Sequence, residues 1–172
     1  MNIHDDILML RALEPTDLDI LYRWENDADL WHTSATITPY SRKQLWDYIE
    51  TYDGDIFRTR QLRLMIEEMS TNNIVGTIDL YDFDPINNRA MVGILIDGAF
   101  RNKGYGVKSM TLLENYCYKN IGLKQLIAIV AIDNEMSLRL FKSLGYESVG
   151  VLKWWLKCGS EYKNAKLLQK EI

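Results

Sequence analysis

The stretch FRNKGYGVKSM, Phe100 to Met110, sets two glycines two residues apart among Arg101, Lys103 and Lys108. Glycine weakens helices, yet an apolar periodicity begins directly after the second one. Val107, Met110, Leu113, Cys117 and Ile121 recur at three- and four-residue steps until Gly122, which predicts one amphipathic helix. A helix N-terminus leaves backbone N–H groups without partners and carries partial positive charge, so it favours anions such as phosphate. Glycine there lets the backbone approach a phosphate closely and take conformations that a Cβ forbids. The stretch therefore holds the parts of a pyrophosphate cradle at a strand–loop–helix junction. It is not the P-loop, since no Gly-Lys-Ser/Thr follows, nor the Gly-x-Gly-x-x-Gly dinucleotide turn.

Working outward, RQLRLMIEEM, IVGTIDLYDF and RAMVGILID are apolar runs separated by turn residues, which predicts a three-stranded antiparallel meander over residues 61–97. ILMLRAL, from Ile7 to Leu13, reads as a first strand. Two helices follow it: PTDLDILYRWEND with Thr16 as N-cap, and TPYSRKQLWDYIETY with Ser41 as N-cap. After the glycine-led helix, LKQLIAIVAI is nearly continuous in apolar residues, as expected of a strand covered on both faces. NEMSLRLFKSLGY is a fourth helix. ESVGVLKWWLKCG and EYKNAKLLQKEI close the chain as two strands around a turn at Cys158–Ser160. This order predicts an α/β (α+β) fold, one mixed, mostly antiparallel sheet of about seven strands flanked by four helices, in a single domain over residues 1–172.

Composition sets the wider bounds. The 172 residues are 47% hydrophobic and 26% charged, which is ordinary for a folded domain. The N-terminus places two acids before a short apolar run, unlike a secretory signal. No apolar stretch reaches the roughly 20 residues of a membrane helix. Cys117 and Cys158 fit no zinc or redox spacing, so a reduced, cytoplasmic protein without metal is expected. The net charge of −4 and the absence of a recognised motif speak against nucleic acid. That charge is unevenly spread: residues 1–86 carry 17 acids and 7 bases, residues 87–172 carry 7 acids and 13 bases. Such a split fits solvated faces, or one half that meets a cation and another that meets an anion.

RNKGYG after the strand VGILID resembles the cofactor motif of the GNAT family of N-acetyltransferases. NEMSLRLFKSLGYE, which begins 30 residues on from Gly104 at Asn134, is similar to that family's second signature segment. The flanks, LRALEPTDLDIL and GVLKWWLKCGSEYKNA, look most like the branch of spermidine and diamine acetyltransferases and ribosomal-protein N-terminal acetyltransferases. The resemblance implies a GNAT fold, acetyl-CoA as co-substrate, no metal, and transfer of acetyl to a primary amine. The acceptor implied is a small polyamine or diamine. Protein N-termini, amino sugars and a non-catalytic CoA-binding role are the alternatives. A homo-oligomer is also implied, since relatives are often dimers.

The resemblance further implies that Gly93–Ile96 splays from LIAIVAI to admit the pantetheine arm, with the backbone of Ile94, Leu95 and Ile96 binding it. Arg101, Asn102, Lys103, Gly104, Tyr105 and Gly106 would hold the pyrophosphate. Asn134 would contact the cofactor, and Asn is also a favoured N-cap. Many family members draw the leaving thiolate's proton from a tyrosine where this chain has Phe141, whose ring has no proton to give; Phe141 keeps only a cofactor contact. Tyr146 reads as core, and Cys158, Tyr162 and Ser143 are other donors. Asp79 is the candidate base, also readable as an outward strand carboxylate. Glu25 and Asp82, with Asp27, Asp29 and Asp84 nearby, are candidates for binding a cationic acceptor. Trp24, Trp31, Trp46, Trp154 and Trp155 could flank its approach. Trp154 and Trp155, as strand neighbours, should face opposite sides.

Overall fold

A computed structural model describes residues 3–27, 30 and 38–172. Among these residues eight strands form one sheet in the order β1-β2-β3-β4-β5-β6-β8-β7. They are β1 (Ile3–His4), β2 (Leu8–Arg11), β3 (Leu62–Glu68), β4 (Asn73–Asp84), β5 (Arg89–Ile96), β6 (Gln125–Ala131), β7 (Glu147–Cys158) and β8 (Glu161–Glu171). Every pairing is antiparallel except β5 with β6. Among the described residues the α-helices are α1 (Leu18–Glu25), α2 (Arg42–Glu50), α3 (Ile56–Thr59), α4 (Tyr105–Tyr116) and α5 (Glu135–Ser143). The meander and the C-terminal hairpin stand where the turn residues put them. The eighth strand and the fifth helix, β1 and α3, are too short to show a period.

Alternation along β3, β4 and β5 divides the molecule. Leu64, Ile66, Ile78, Leu80 and Val92 join Met110 and Leu113 of α4, Cys117 directly after it, and Phe141 of α5 in the main core. Met65 and the half-buried Leu95 instead meet Leu21 and Trp24 of α1 and Ile49 of α2 in a second core. Glycine is obligatory where β4 passes β5, because a Cβ on Gly76 would lie 2.1 Å from the Leu95 carbonyl oxygen.

Several local readings shift. Ser41 caps α2 as expected, with its Oγ accepting from Gln44 N–H and Gln44 Oε1 accepting from Ser41 N–H. Thr16 caps nothing: it lies inside a 3-10 turn, Pro15–Asp17, and Asp17 Oδ2 takes the Glu14 N–H instead. Helix α4 starts two residues before the apolar period, and its inward face is Ser109, Met110 and Leu113, which leaves Val107 exposed. A π-helical turn, Cys117–Ile121, extends it to Gly122 at φ 81°. Strand β6 buries Leu126, Ala128 and Val130, whereas Ile127 and Ile129 are only half-buried, so it is fully covered on one face only.

Burial pushes the Cys117 thiol up to about 12, and the Glu114 carboxylate adds to the shift. Cys158, half-buried at the end of β7, is the accessible thiol. A disulfide-exchange reagent at pH 8 should therefore titrate one thiol in the folded protein and two after denaturation. Two native thiols would show that the core around α4 opens.

Candidate active site

The parallel ladder between β5 and β6 covers only Arg89–Met91 against Gln125–Ile127. Beyond it β5 stays on β4 as far as Ile96, and β6 stays on β8 as far as Ala131. The strands part after Met91 and Ile127, so the backbone of Gly93–Ile96 borders a wedge at the carboxyl ends of two parallel strands, a common ligand position. The side chains flanking this edge divide: Ile94 and Ile96 pack on the main core, Leu95 on the second.

The chain then turns through Asp97, a 3-10 segment Gly98–Phe100, and residues 101–104 into α4. Arg101 Nε donates to the Ile96 carbonyl (3.1 Å). Asn102 at φ 62° and Gly104 at φ 80° both have left-handed backbones. Gly104 is the N-cap of α4, with open space where a Cβ would project. The first intrahelical bond at this end is Lys108 N–H to Gly104 O (3.2 Å), which leaves the N–H groups of Tyr105, Gly106 and Val107 directed at the loop.

The two glycines do different things. A Cβ on Gly106 would meet Leu140 Cδ2 at 3.3 Å, so this glycine lets α5 approach α4 closely. Tyr105 is buried and its hydroxyl donates to Glu68 at the end of β3. The Lys103 ammonium sits over the Phe100 ring at 5.1 Å, and Lys108 reaches Asp5 at 3.7 Å. Asn134 caps α5, its Oδ1 accepting from Ser137 N–H at 3.1 Å. Phe141, expected at the cofactor, is a core side chain, 3% exposed, with its ring edge-on to Tyr146 at 4.9 Å. It offers a ligand almost no surface. Tyr146 is core, as its position suggested.

On the α1–α2 side, cross-strand register puts Arg63, Asp79 and Gly93 in one row of β3, β4 and β5. Arg63 Nε and Nη2 bind Asp79 Oδ1 and Oδ2 at 2.8 and 3.1 Å, while Nη1 binds Glu25 Oε1 at 3.1 Å. Burial works against the Arg63 charge, but Asp79, with Tyr48 and Glu25 behind it, more than compensates and keeps the guanidinium protonated. Two carboxylates around one guanidinium leave this cluster at −1. Arg63, Asp79, Tyr48, Gln61 and Tyr81 line a cavity of about 170 Å³. Burial pushes the Tyr48 hydroxyl up to about 12, so it carries its proton at neutral pH. Gly93 supplies no side chain to this row, and its missing bulk lies where the wedge begins.

Not every candidate converges here. Asp82, at φ 49° in a β-bulge, lines a separate cavity of about 290 Å³ with Asp84, Arg89, Met91 and Ile127. Ser143 is engaged, donating to the Leu140 carbonyl at 2.7 Å. Trp24 is buried rather than at a mouth, and Asp29 and Trp31 lie outside the described residues. Trp154 and Trp155 are both exposed, because a bulge between Leu152 and Leu156 with Trp154 at φ 53° breaks the strand alternation. Trp154 stacks on Tyr162 at 5.9 Å. Arg63, Tyr48 and Tyr81 are the cavity residues that sequence reasoning missed. The alternation of Leu62, Leu64 and Ile66 was a usable signal that Arg63 faces away from the main core.

Among the described residues no cluster of three or more His, Cys, Asp or Glu could hold a metal ion, and no helix is long and apolar enough to cross a membrane. The chain matches the acetyltransferase (GNAT) domain family over residues 8–147. The N-acetyltransferase YoaA of Bacillus subtilis is 24% identical over 154 residues, 90% of this chain and 87% of that one. The spermidine N(1)-acetyltransferase of Escherichia coli is 24% identical over 159 residues, 91% of this chain and 81% of the relative. The structure of the Vibrio cholerae spermidine N-acetyltransferase in complex with CoA and spermine superposes with a TM-score of 0.85 at 22% identity, over 97% of this chain and 96% of that one. Such identity speaks to the fold. The family match, spanning most of the chain and joined by N-acetyltransferases among its relatives, establishes that the protein belongs to the GNAT family and is an N-acetyltransferase.

Proposed function

We propose that the protein transfers acetyl from acetyl-CoA directly to the primary amine of a small polyamine or diamine. The observation that carries this reading is the parting of β5 from β6 directly ahead of a left-handed Gly104 at the N-terminus of α4. The wedge fits an extended pantetheine arm along the backbone of Ile94, Leu95 and Ile96. The free N–H groups of α4, with Arg101, Asn102 and Lys103 beside them, fit a pyrophosphate. Asn134, at the head of α5, borders the same cofactor. When bound, acetyl-CoA supplies the thioester whose acetyl carbon passes from sulfur to the amine nitrogen.

The chain's own residues bind and orient the acceptor. Asp79, one strand from the wedge, accepts a hydrogen bond from the attacking amine. Arg63 fixes that carboxylate in place through two hydrogen bonds, so Asp79 is held to orient the amine. Glu25 adds the second negative charge that draws a cation, and Asp82 and its neighbours extend the acidic surface. A cavity of about 170 Å³ with tyrosine walls suits the end of an unbranched amine better than a sugar ring or a peptide terminus. Spermidine N(1)-acetyltransferases among the relatives support the same acceptor class.

A thiol-release assay with acetyl-CoA against diamines, polyamines, amino sugars and N-terminal peptides tests the proposal. Turnover of peptides alone would overturn the polyamine reading, and tight acetyl-CoA binding without any turnover would leave a CoA-binding scaffold. Asp79→Asn should raise KM for the amine about tenfold or more, with acetyl-CoA affinity unchanged. An unchanged KM would remove Asp79 from acceptor binding. We also infer a homo-oligomer, in which the exposed Val149, Val151, Trp154, Trp155 and Tyr162 of the C-terminal hairpin are covered. Light scattering at the monomer mass of 20.1 kDa would overturn it.

A further inference from the structure

Resting on the acetyl-CoA reading above, we infer that Asp97 is a positioning residue that ties the last turn of α1 to the cofactor loop. One carboxylate thereby sets the acceptor cavity and the cradle relative to each other. Asp97 follows the last residue of β5, and its N–H donates to the Val75 carbonyl at 2.9 Å, which fixes its backbone to β4. Its Oδ1 accepts from Ala99 N–H at 3.0 Å and so caps the turn that leads into the cradle. Its Oδ2 accepts from the Trp24 indole at 2.8 Å and from Arg23 Nη2 at 2.5 Å.

Glu25, the next residue of the same helical turn, is the one that grips Arg63 and through it Asp79. Three consecutive residues of α1 therefore hold both half-sites, two toward the cofactor and one toward the acceptor. The Asp97 side chain is only 12% exposed and its bond to the buried Trp24 is shielded from water, whereas Arg23 reaches it from the surface. Burial alone would raise its pKa, but the bonds from Trp24 and Ala99 and the charges of Arg23 and Arg101 outweigh it, and the carboxylate stays ionised. A buried tryptophan needs a partner for its N–H, which any nearby acceptor satisfies. What marks Asp97 is that the same atoms also terminate β5 and begin the loop. Coupling between sites travels through such shared rigid contacts.

Two variants separate positioning from simple satisfaction of the indole. Trp24→Phe removes the Nε1–H donor and keeps most of the ring's packing. Asp97→Asn keeps an oxygen for Trp24 but discharges the partner of Arg23. In each, acetyl-CoA affinity should fall and the amine KM should rise together, by roughly three- to tenfold, the scale of one charge-assisted hydrogen bond. The kcat with both substrates saturating should stay within about twofold, because no reacting atom is touched. A fall in melting temperature alone, with affinity and KM unchanged in both variants, would overturn the inference and leave Asp97 a structural partner of Trp24. If the unmodified protein fails to bind acetyl-CoA, the cofactor reading falls and takes this inference with it.

Discussion

Gly104→Glu should abolish acetyl-CoA binding while leaving the protein folded. At φ 80° the position is left-handed, which strains any residue with a Cβ by about 1–2 kcal/mol. No atom lies within 4 Å of where that Cβ would project, so there is no clash to add. The melting temperature should therefore drop by only a few degrees. The new carboxylate, by contrast, would stand at the free N–H groups of α4 and repel a pyrophosphate. Like charges brought together at a binding site cost several kcal/mol, which corresponds to an affinity loss of more than about 100-fold. Calorimetric titration of the folded variant with acetyl-CoA measures it. An affinity within twofold of the unmodified protein would remove the anion cradle from residues 101–106.

The largest loss of stability should come from Gly76→Ala. A Cβ there would stand 2.1 Å from the Leu95 carbonyl oxygen and 3.2 Å from Ile96 Cα, both backbone atoms that cannot rotate away. Strand β4 and strand β5 would have to separate where Gly76 pairs with Ile96 and Thr77 with Leu95. Backbone overpacking of this kind belongs to the upper tail of point-mutant effects, roughly 4 kcal/mol or more. For a chain of this size that is about 10 °C of melting temperature. Thermal unfolding followed by circular dichroism checks it, and a shift below 2 °C would show that the strands relax freely. Because Leu95 and Ile96 border the wedge, whatever folds should also bind acetyl-CoA poorly.

How much the sequence disclosed follows from the range of the forces involved. The three-stranded meander was legible because its turns carry Asn, Asp and Pro and its strands alternate, both local signals. The end of α4 was legible because Gly122 adopts the left-handed conformation that a helix terminus favours. Its inward face was misphased, since Val107 is apolar but lies to the side of Met110 and Leu113. Elements of two and four residues, Ile3–His4 and Ile56–Thr59, hold no period to read.

The cofactor side was legible because its chemistry sits in one contiguous segment and uses backbone. The acceptor side was not, because it is built by pairing. Arg63 meets Asp79 across 16 residues and Glu25 across 38, and neither partner betrays the other locally. Trp24 and Asp97 stand 73 residues apart and meet through a hydrogen bond that exists once α1 packs on the sheet. A glycine such as Gly76 reads as an ordinary weak spot in a strand until the register shows what it faces.

The short β5–β6 ladder has a mechanical meaning as well. Among the described residues, three residue pairs and one flanking bond, Lys124 N–H to the Asn88 carbonyl, form the backbone seam between the five strands on one side and the three on the other. Each half has its own longer ladders, whereas the join depends mainly on the shared core, where Val92 of β5 and Leu126 and Ala128 of β6 pack in one cluster. A ligand that occupied the wedge would act as a missing strand, restoring in-plane continuity to a sheet that is otherwise slit from its edge. Cohesion between the halves would then rise with occupancy, so the protein's resistance to unfolding would itself report how much of its co-substrate is present.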